Sequence, residues 1–150
     1  MTKKLLHSIL FGALLLSSYT AAAQSAEHEA VKLVMQDFIK AYETGDGAYI
    51  QKRFRSDGVM IGYTAKTDQV LVVSGGEFAN RFDGTLAPDE SARKRSFEIL
   101  DITENAALTK VTLDYPTWDG VDYLALTKID GNWMIVSKSW SGTPKPAPKL

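Results

Sequence analysis

Residues 121–140 constrain the fold of this chain more than any other stretch. Val121-Asp122-Tyr123-Leu124-Ala125-Leu126-Thr127-Lys128-Ile129 is dense in strand formers, and Asp130-Gly131-Asn132 is a turn signal. Trp133-Met134-Ile135-Val136-Ser137-Lys138-Ser139-Trp140 then carries the chain back, so the segment reads as a β-hairpin. Side chains alternate along a strand, which puts Asp122 on one face with Leu124 and Leu126. Its carboxyl therefore either sits at the solvated end of the sheet, accepting hydrogens from the Asp119-Gly120 turn, or is buried among leucines. Burial would favour the protonated form and make Asp122 a hydrogen-bond donor to a ligand carbonyl.

At the other end, Met1-Thr2-Lys3-Lys4 precedes an apolar run from Leu5 to Leu16, and Ala21-Ala22-Ala23 follows. This pattern predicts a signal peptide over residues 1–23, with cleavage after Ala23 and delivery to the periplasm or the exterior. The apolar run is too short to span a bilayer, which needs roughly 20 residues, so no membrane association is expected after cleavage. The chain has no cysteine, which excludes a disulfide framework, thiolate chemistry and a lipid anchor on cysteine. Loss of Lys3 and Lys4 leaves 15 basic against 18 acidic residues in a chain of 127, a formal charge of −3 and one domain's worth of sequence. That balance argues against nucleic acid, which demands a basic stripe. Arg93-Lys94-Arg95 is the one dense basic cluster, and beside Asp89-Glu90 it reads as a solvated loop.

Between these ends the periodicities predict helices first and an antiparallel meander afterwards. Ser25 can cap a helix that buries Val31, Val34, Met35, Phe38 and Tyr42 and ends at Thr44-Gly45. Asp46 can cap a second helix carrying Tyr49, Ile50 and Phe54 up to Ser56-Asp57-Gly58. Val59–Tyr63 and Gln69–Val73 read as a strand pair, and residues 77–82 as a plug-like helix with Phe78 and Phe82 four apart. Strands over 96–103 and 107–115 lead into the hairpin. Residues 142–150, rich in Pro and Lys, read as a flexible tail. Helices gathered on one face of an antiparallel sheet define an α+β architecture.

The order of these elements, with Tyr42-Glu43-Thr44-Gly45-Asp46, Phe54-Arg55-Ser56-Asp57-Gly58 and the Asp130-Gly131-Asn132-Trp133 hairpin, resembles the NTF2-like superfamily. That superfamily shares a cone-shaped fold with ketosteroid isomerase and SnoaL-type cyclases. Within it the sequence is similar to the branch named for lumazine binding. The resemblance covers residues 24–141 and implies helices packed on a strongly curved sheet, a conical cavity for a small organic ligand, and a homodimer joined through the outer sheet face. A meander with apolar residues on both faces fits such a cover. Residues expected to line the cavity are Phe38, Tyr42, Phe54, Tyr63, Tyr115, Trp118, Asp122 and Leu124.

The isomerase branch also supplies a test for catalysis. The resemblance places its carboxylate base at Gly62, its phenol at Phe38 and its second acid at Asp122, so two of the three groups are missing and that chemistry is not expected. His28, the one histidine after residue 23, reads as a surface residue, and no spacing predicts a metal site or a cofactor. Trp133, which shares parity with Ile135, reads as core. Lys138 and Arg53 could pair with Asp122 or with an acidic ligand, although a lysine on a last strand also suits a soluble edge. The expectation is thus an exported protein that binds a small organic molecule. The alternatives are an isomerase, dehydratase or hydrolase using Asp122 with a tyrosine, and a pure interaction module.

Overall fold

A computed structural model describes the backbone of residues 3–64 and 68–146, and side chains from residue 23 onwards apart from Thr64. Two compact units are distinguished, residues 1–30 and 31–150, and the site described below lies in the second. Helix α1 runs Lys3–Thr44, so Ser25 lies inside a helix instead of starting one. Much of the expected signal segment lies outside the residues whose side chains are described, and His28 is exposed. From Val31 onward the predicted stripe is realised: Val31, Val34, Met35, Phe38 and Ala41 are fully buried.

Gly45 ends α1 with φ +70°, the left-handed region that costs a glycine nothing, and its N–H donates to the Ala41 carbonyl at 2.8 Å. Asp46 accepts from the Ala48 N–H at 2.9 Å at the entry to α2, Ala48–Arg53. That helix is shorter than expected. Phe54 already belongs to strand β1, Phe54–Thr64, and Ser56-Asp57-Gly58 is part of the strand, where its pairing with the sheet shifts register between Phe54 and Val59. Strand β2, Gln69–Ser74, returns antiparallel to β1. Helix α3, Gly75–Ala79, is opened by a capping box in which the Ser74 hydroxyl accepts from the Glu77 N–H while the Glu77 carboxylate accepts from the Ser74 N–H. A short 3-10 turn at Glu90–Ala92 precedes strands β3, Lys94–Ile102, β4, Ala106–Tyr115, β5, Trp118–Ile129, and β6, Asn132–Pro144.

The six strands form one curved, unclosed sheet in the order β2-β1-β6-β5-β4-β3, and the class is α+β as expected. Two features depart from the predicted meander. Strand β1 runs parallel to β6, which makes β6 a central strand and leaves β2 and β3 as the edges. And β6 continues through Gly142 and Thr143 to Pro144, paired with Gly120, Asp119 and Trp118, so residues 142–144 are sheet and not tail. Lys145 is fixed too: its N–H donates to the Thr117 carbonyl at 2.9 Å and its ammonium pairs with Asp114 and Asp119. Residues 147–150 of the expected tail lie outside the described residues.

At the hairpin turn Asp130 and Gly131 both have positive φ, 49° and 79°, as the predicted two-residue turn requires. Farther along, the β5–β6 register slips between Ala125 and Leu126: Ala125 faces Ser137 and Leu126 faces Ile135, leaving Val136 without an opposite residue. The bulge reverses parity. Trp133 and Ile135 point into the core before it, Lys138 after it, and the serines at 137, 139 and 141 go to the outer face.

Candidate functional site

Asp122 is buried, with 1% of its surface exposed, and so is Lys138 with 5%. Strand β5 sets Asp122 on the inner face between Val111 of β4 and Trp140 of β6, one step from Leu124, whose partner across the strands is Lys138. The Lys138 ammonium lies 2.9 Å from Asp122 Oδ2. That distance is an ion pair. The ammonium also sits over two aromatic faces, 5.1 Å from the Trp140 ring and 5.7 Å from that of Phe78. Burial pushes the Asp122 carboxyl up from its ordinary range against the opposing pull of Lys138. Burial likewise pushes the Lys138 amine down against the pull of Asp122. Each group is thus drawn toward its neutral form by desolvation and held charged by its neighbour.

Above this pair stands Tyr42, one turn beyond Phe38 on α1, with the two rings 5.5 Å apart in an edge-to-face contact. Burial first, and then the charge of Asp122, push the Tyr42 phenol well above its ordinary pKa, so it stays protonated and can donate. Tyr115 is raised by burial as well, and it accepts a hydrogen bond from Arg95 Nε at 2.8 Å. The guanidinium of Arg95 lies over both phenol rings, 5.1 Å from Tyr42 and 4.8 Å from Tyr115, and pairs through two nitrogens with Glu90. A cavity of about 280 Å³ is lined by Tyr42, Phe78 and Phe82 together with Arg81, Glu90, Arg93 and Arg95.

The expected cavity residues fall into three groups. Tyr42, Tyr115 and Asp122 come together, with Phe38 packed behind Tyr42. Phe54 and Leu124 are core, the former against Phe78 at 5.9 Å. Tyr63 and Trp118 are elsewhere. Tyr63 follows exposed Val59 and Ile61 on the outer face, because buried Met60 takes the inner parity of β1, and its hydroxyl bonds Asp68. Trp118 lies flat over two glycines at the far end of the hairpin, where a Cβ on Gly142 would come within 2.2 Å of its ring. Trp133 is core, at 3% exposure, and Arg53 pairs with Asp37 at 2.6 Å and not with Asp122.

The reading of Arg93-Lys94-Arg95 as a solvated loop is corrected by β3. Strand alternation turns Lys94 outward and Arg95 inward, where only 3% of its side chain is exposed, and Arg93 stacks 4.4 Å over Tyr115. One more step back from the apolar positions Phe97 and Ile99 would have placed Arg95 on the inner face. Gly62, where the isomerase resemblance puts a base, also faces inward, but the Trp140 indole occupies that space: a Cβ there would lie 2.4 Å from the ring. Among the described residues no cluster of His, Asp and Glu is placed to hold a metal ion.

A family model described as "Putative lumazine-binding" matches residues 26–141. The chain belongs to this family, and its fold is NTF2-like. Another relative is aldolase FrzH of Cladobotryum sp., 30% identical over 124 residues that cover 81% of this chain and 95% of the relative. Among solved structures, an NTF2-like protein of unknown function from Shewanella baltica OS155 superposes with a TM-score of 0.70 at 20% identity, covering 81% of this chain and 97% of that one. An NTF2-like protein from Methylobacillus flagellatus KT gives 0.64 at 20% identity, covering 79% and 93%. These structural likenesses establish the fold. The site of this family member is then a buried carboxylate and amine behind a phenol, Tyr42, that lines a cavity together with three arginines.

Proposed function

We propose that this protein is an enzyme acting on a small carbonyl compound in the cavity beside Tyr42, in the aldol or retro-aldol class, with Asp122 moving the proton. The observation that carries this reading is the buried Asp122–Lys138 pair. Burying two charges costs more than their attraction commonly returns, and an apolar pair of the same volume serves stability as well or better. A core that keeps such a pair behind Tyr42 and Phe78, two residues that line a cavity, has the signature of a working site. The relative named as an aldolase supports the same class.

In this reading Asp122, its pKa raised by burial, accepts a proton from the carbon next to the substrate carbonyl, and the electron pair moves onto the carbonyl oxygen. The Tyr42 hydroxyl donates to that oxygen as negative charge develops. The resulting enolate attacks a second carbonyl carbon to form the new C–C bond, and the alkoxide takes the proton back from Asp122, so the catalyst is restored. Lys138 keeps the carboxylate ionised and in place between turnovers. Deuterium exchange into the α-position of a simple ketone such as cyclohexanone, followed by NMR in D₂O, tests the first step. Exchange above the solvent rate that disappears in Asp122→Asn supports the reading, and exchange unaltered by that substitution removes Asp122 from the role.

The aromatic wall of Tyr42, Phe78 and Phe82 favours a second reading, a carrier that binds a planar ligand without chemistry. Native mass spectrometry of gently purified protein distinguishes the two, since a carrier retains a defined extra mass and shows no exchange. We further propose export through the segment at residues 1–23 and a homodimer across the outer sheet face. Exposed Val59, Ile61, Tyr63, Val70 and Val72 on β1 and β2 support the second point.

A further inference from the structure

The cavity beside Tyr42 has an internal charge imbalance. Of its three guanidiniums, two are committed: Arg93 Nε pairs with Asp89 at 2.9 Å, and Arg95 is held by Glu90 and by the Tyr115 hydroxyl. The side chain of Arg81 makes no ion pair and no hydrogen bond among the described residues, although it lines the same cavity. Its charge nevertheless reaches the interior, lowering the pKa of both Tyr42 and Lys138. Three cations set against Asp89 and Glu90 leave one positive charge uncompensated at a cavity also lined by three aromatic rings, with centroids 5.0 to 6.2 Å apart. At about 280 Å³ the space is at the small end of ligand sites, which run from roughly 300 to 1,000 Å³, so its occupant is of metabolite size.

We propose that this cavity takes a small organic monoanion, a carboxylate on a flat apolar body, and that Arg81 is the specificity residue that binds the carboxylate. A planar guanidinium free of other partners offers two parallel N–H groups to the two carboxylate oxygens. The single uncompensated charge matches one carboxylate, and Glu90 on the same wall disfavours a doubly charged phosphate monoester. The aromatic wall takes the body of the molecule, edge or face against Phe78 and Phe82. The inference rests on the reading that ligand enters this cavity, and it narrows that ligand to acids.

The test is a binding titration of the full chain, by ligand-observed NMR, with three probes of one shape: 3-phenylpropionate, its neutral amide 3-phenylpropanamide, and phenyl phosphate. The acid is expected to bind about tenfold or more tighter than the amide, a difference of about 1.4 kcal/mol, and tighter than the phosphate. In Arg81→Gln the preference for acid over amide should vanish, while Arg81→Lys should keep part of it. Arg81 is exposed, so both variants should fold, and unchanged tryptophan emission checks this. Equal affinity for acid and amide, a preference that survives Arg81→Gln, no binding of any probe at millimolar concentration, or a preference for the phosphate would each overturn the proposal. Asp122→Asn separates this inference from the catalytic one: it should abolish α-proton exchange and leave the acid preference intact.

Discussion

An aspartate and a lysine enclosed together in an apolar core depend on each other, and that dependence has a pH signature. Lys138→Met leaves a buried carboxylate without its cation and is expected to cost about 3–5 kcal/mol near neutral pH, measured by urea unfolding. The folded pKa of Asp122 is already raised by burial, and losing the ammonium raises it further. A group raised in this way contributes its stability in full below its unfolded pKa and loses it as pH rises through the folded pKa. The deficit of Lys138→Met should therefore shrink on acidification. Lys138 is shifted down by burial, so its contribution is present above its unfolded pKa and is lost as pH falls through its folded value. Asp122→Asn should accordingly recover toward alkaline pH. The double variant, with neither charge, should come within about 1 kcal/mol of the parent or exceed it. Deficits that ignore pH would show that neither group's pKa differs between the folded and unfolded chain. Tyr42→Phe bears on function instead: exchange at a ketone α-carbon should drop about 10²-fold with little loss of stability if the phenol holds the developing charge.

At the level of elements, helix α3 carries Phe78 and, just past its end, Arg81 and Phe82, and its start depends on one side chain. Ser74→Ala removes the N-cap and should lower stability by about 1 kcal/mol, read as a lower urea midpoint, while weakening ligand binding through displacement of Phe78. This helix was legible in the sequence as a plug with Phe78 and Phe82 four apart, as were the helical stripe of α1, the β1–β2 pair and the Asp130-Gly131 turn, because each is written in local periodicity and turn chemistry. The parallel pairing of β1 with β6 was not. It joins residues some 80 positions apart, and nothing local records which distant strand a strand adopts. The same gap left Lys138 undecided between the pairing with Asp122 that the structure shows and a soluble edge. Only the central place of β6 and the bulge at Val136 turn it onto Asp122, and a bulge shifts parity without any change in composition.

Across the whole molecule, the sheet divides into an inner face that holds the site and an outer face of uneven character. Ser137, Ser139 and Ser141 make its centre polar, while Val59, Ile61, Val70 and Val72 leave an apolar strip on β1 and β2, with Val70 64% exposed and Val72 60%. If two copies meet across this strip, Val72→Glu should shift the sedimentation coefficient from dimer to monomer, and Tyr123→Lys nearer the sheet centre should do less; a parent that sediments as a monomer overturns the pairing. A resemblance carried by the order of elements reached the fold and the family, and Asp122 and Tyr42 with them. Arg81, Arg93 and Arg95 escaped it because their role depends on which carboxylates the fold brings beside each guanidinium. One consequence of the interior concerns light. Trp140 packs over the inward side of Gly62 with the Lys138 ammonium 5.1 Å from its ring, so its indole sits in the field of the Asp122–Lys138 pair. With Trp118 and Trp133 replaced by phenylalanine, that one indole would be the chain's single tryptophan, and a shift of its emission on Lys138→Met would make it a label-free reporter of the buried pair.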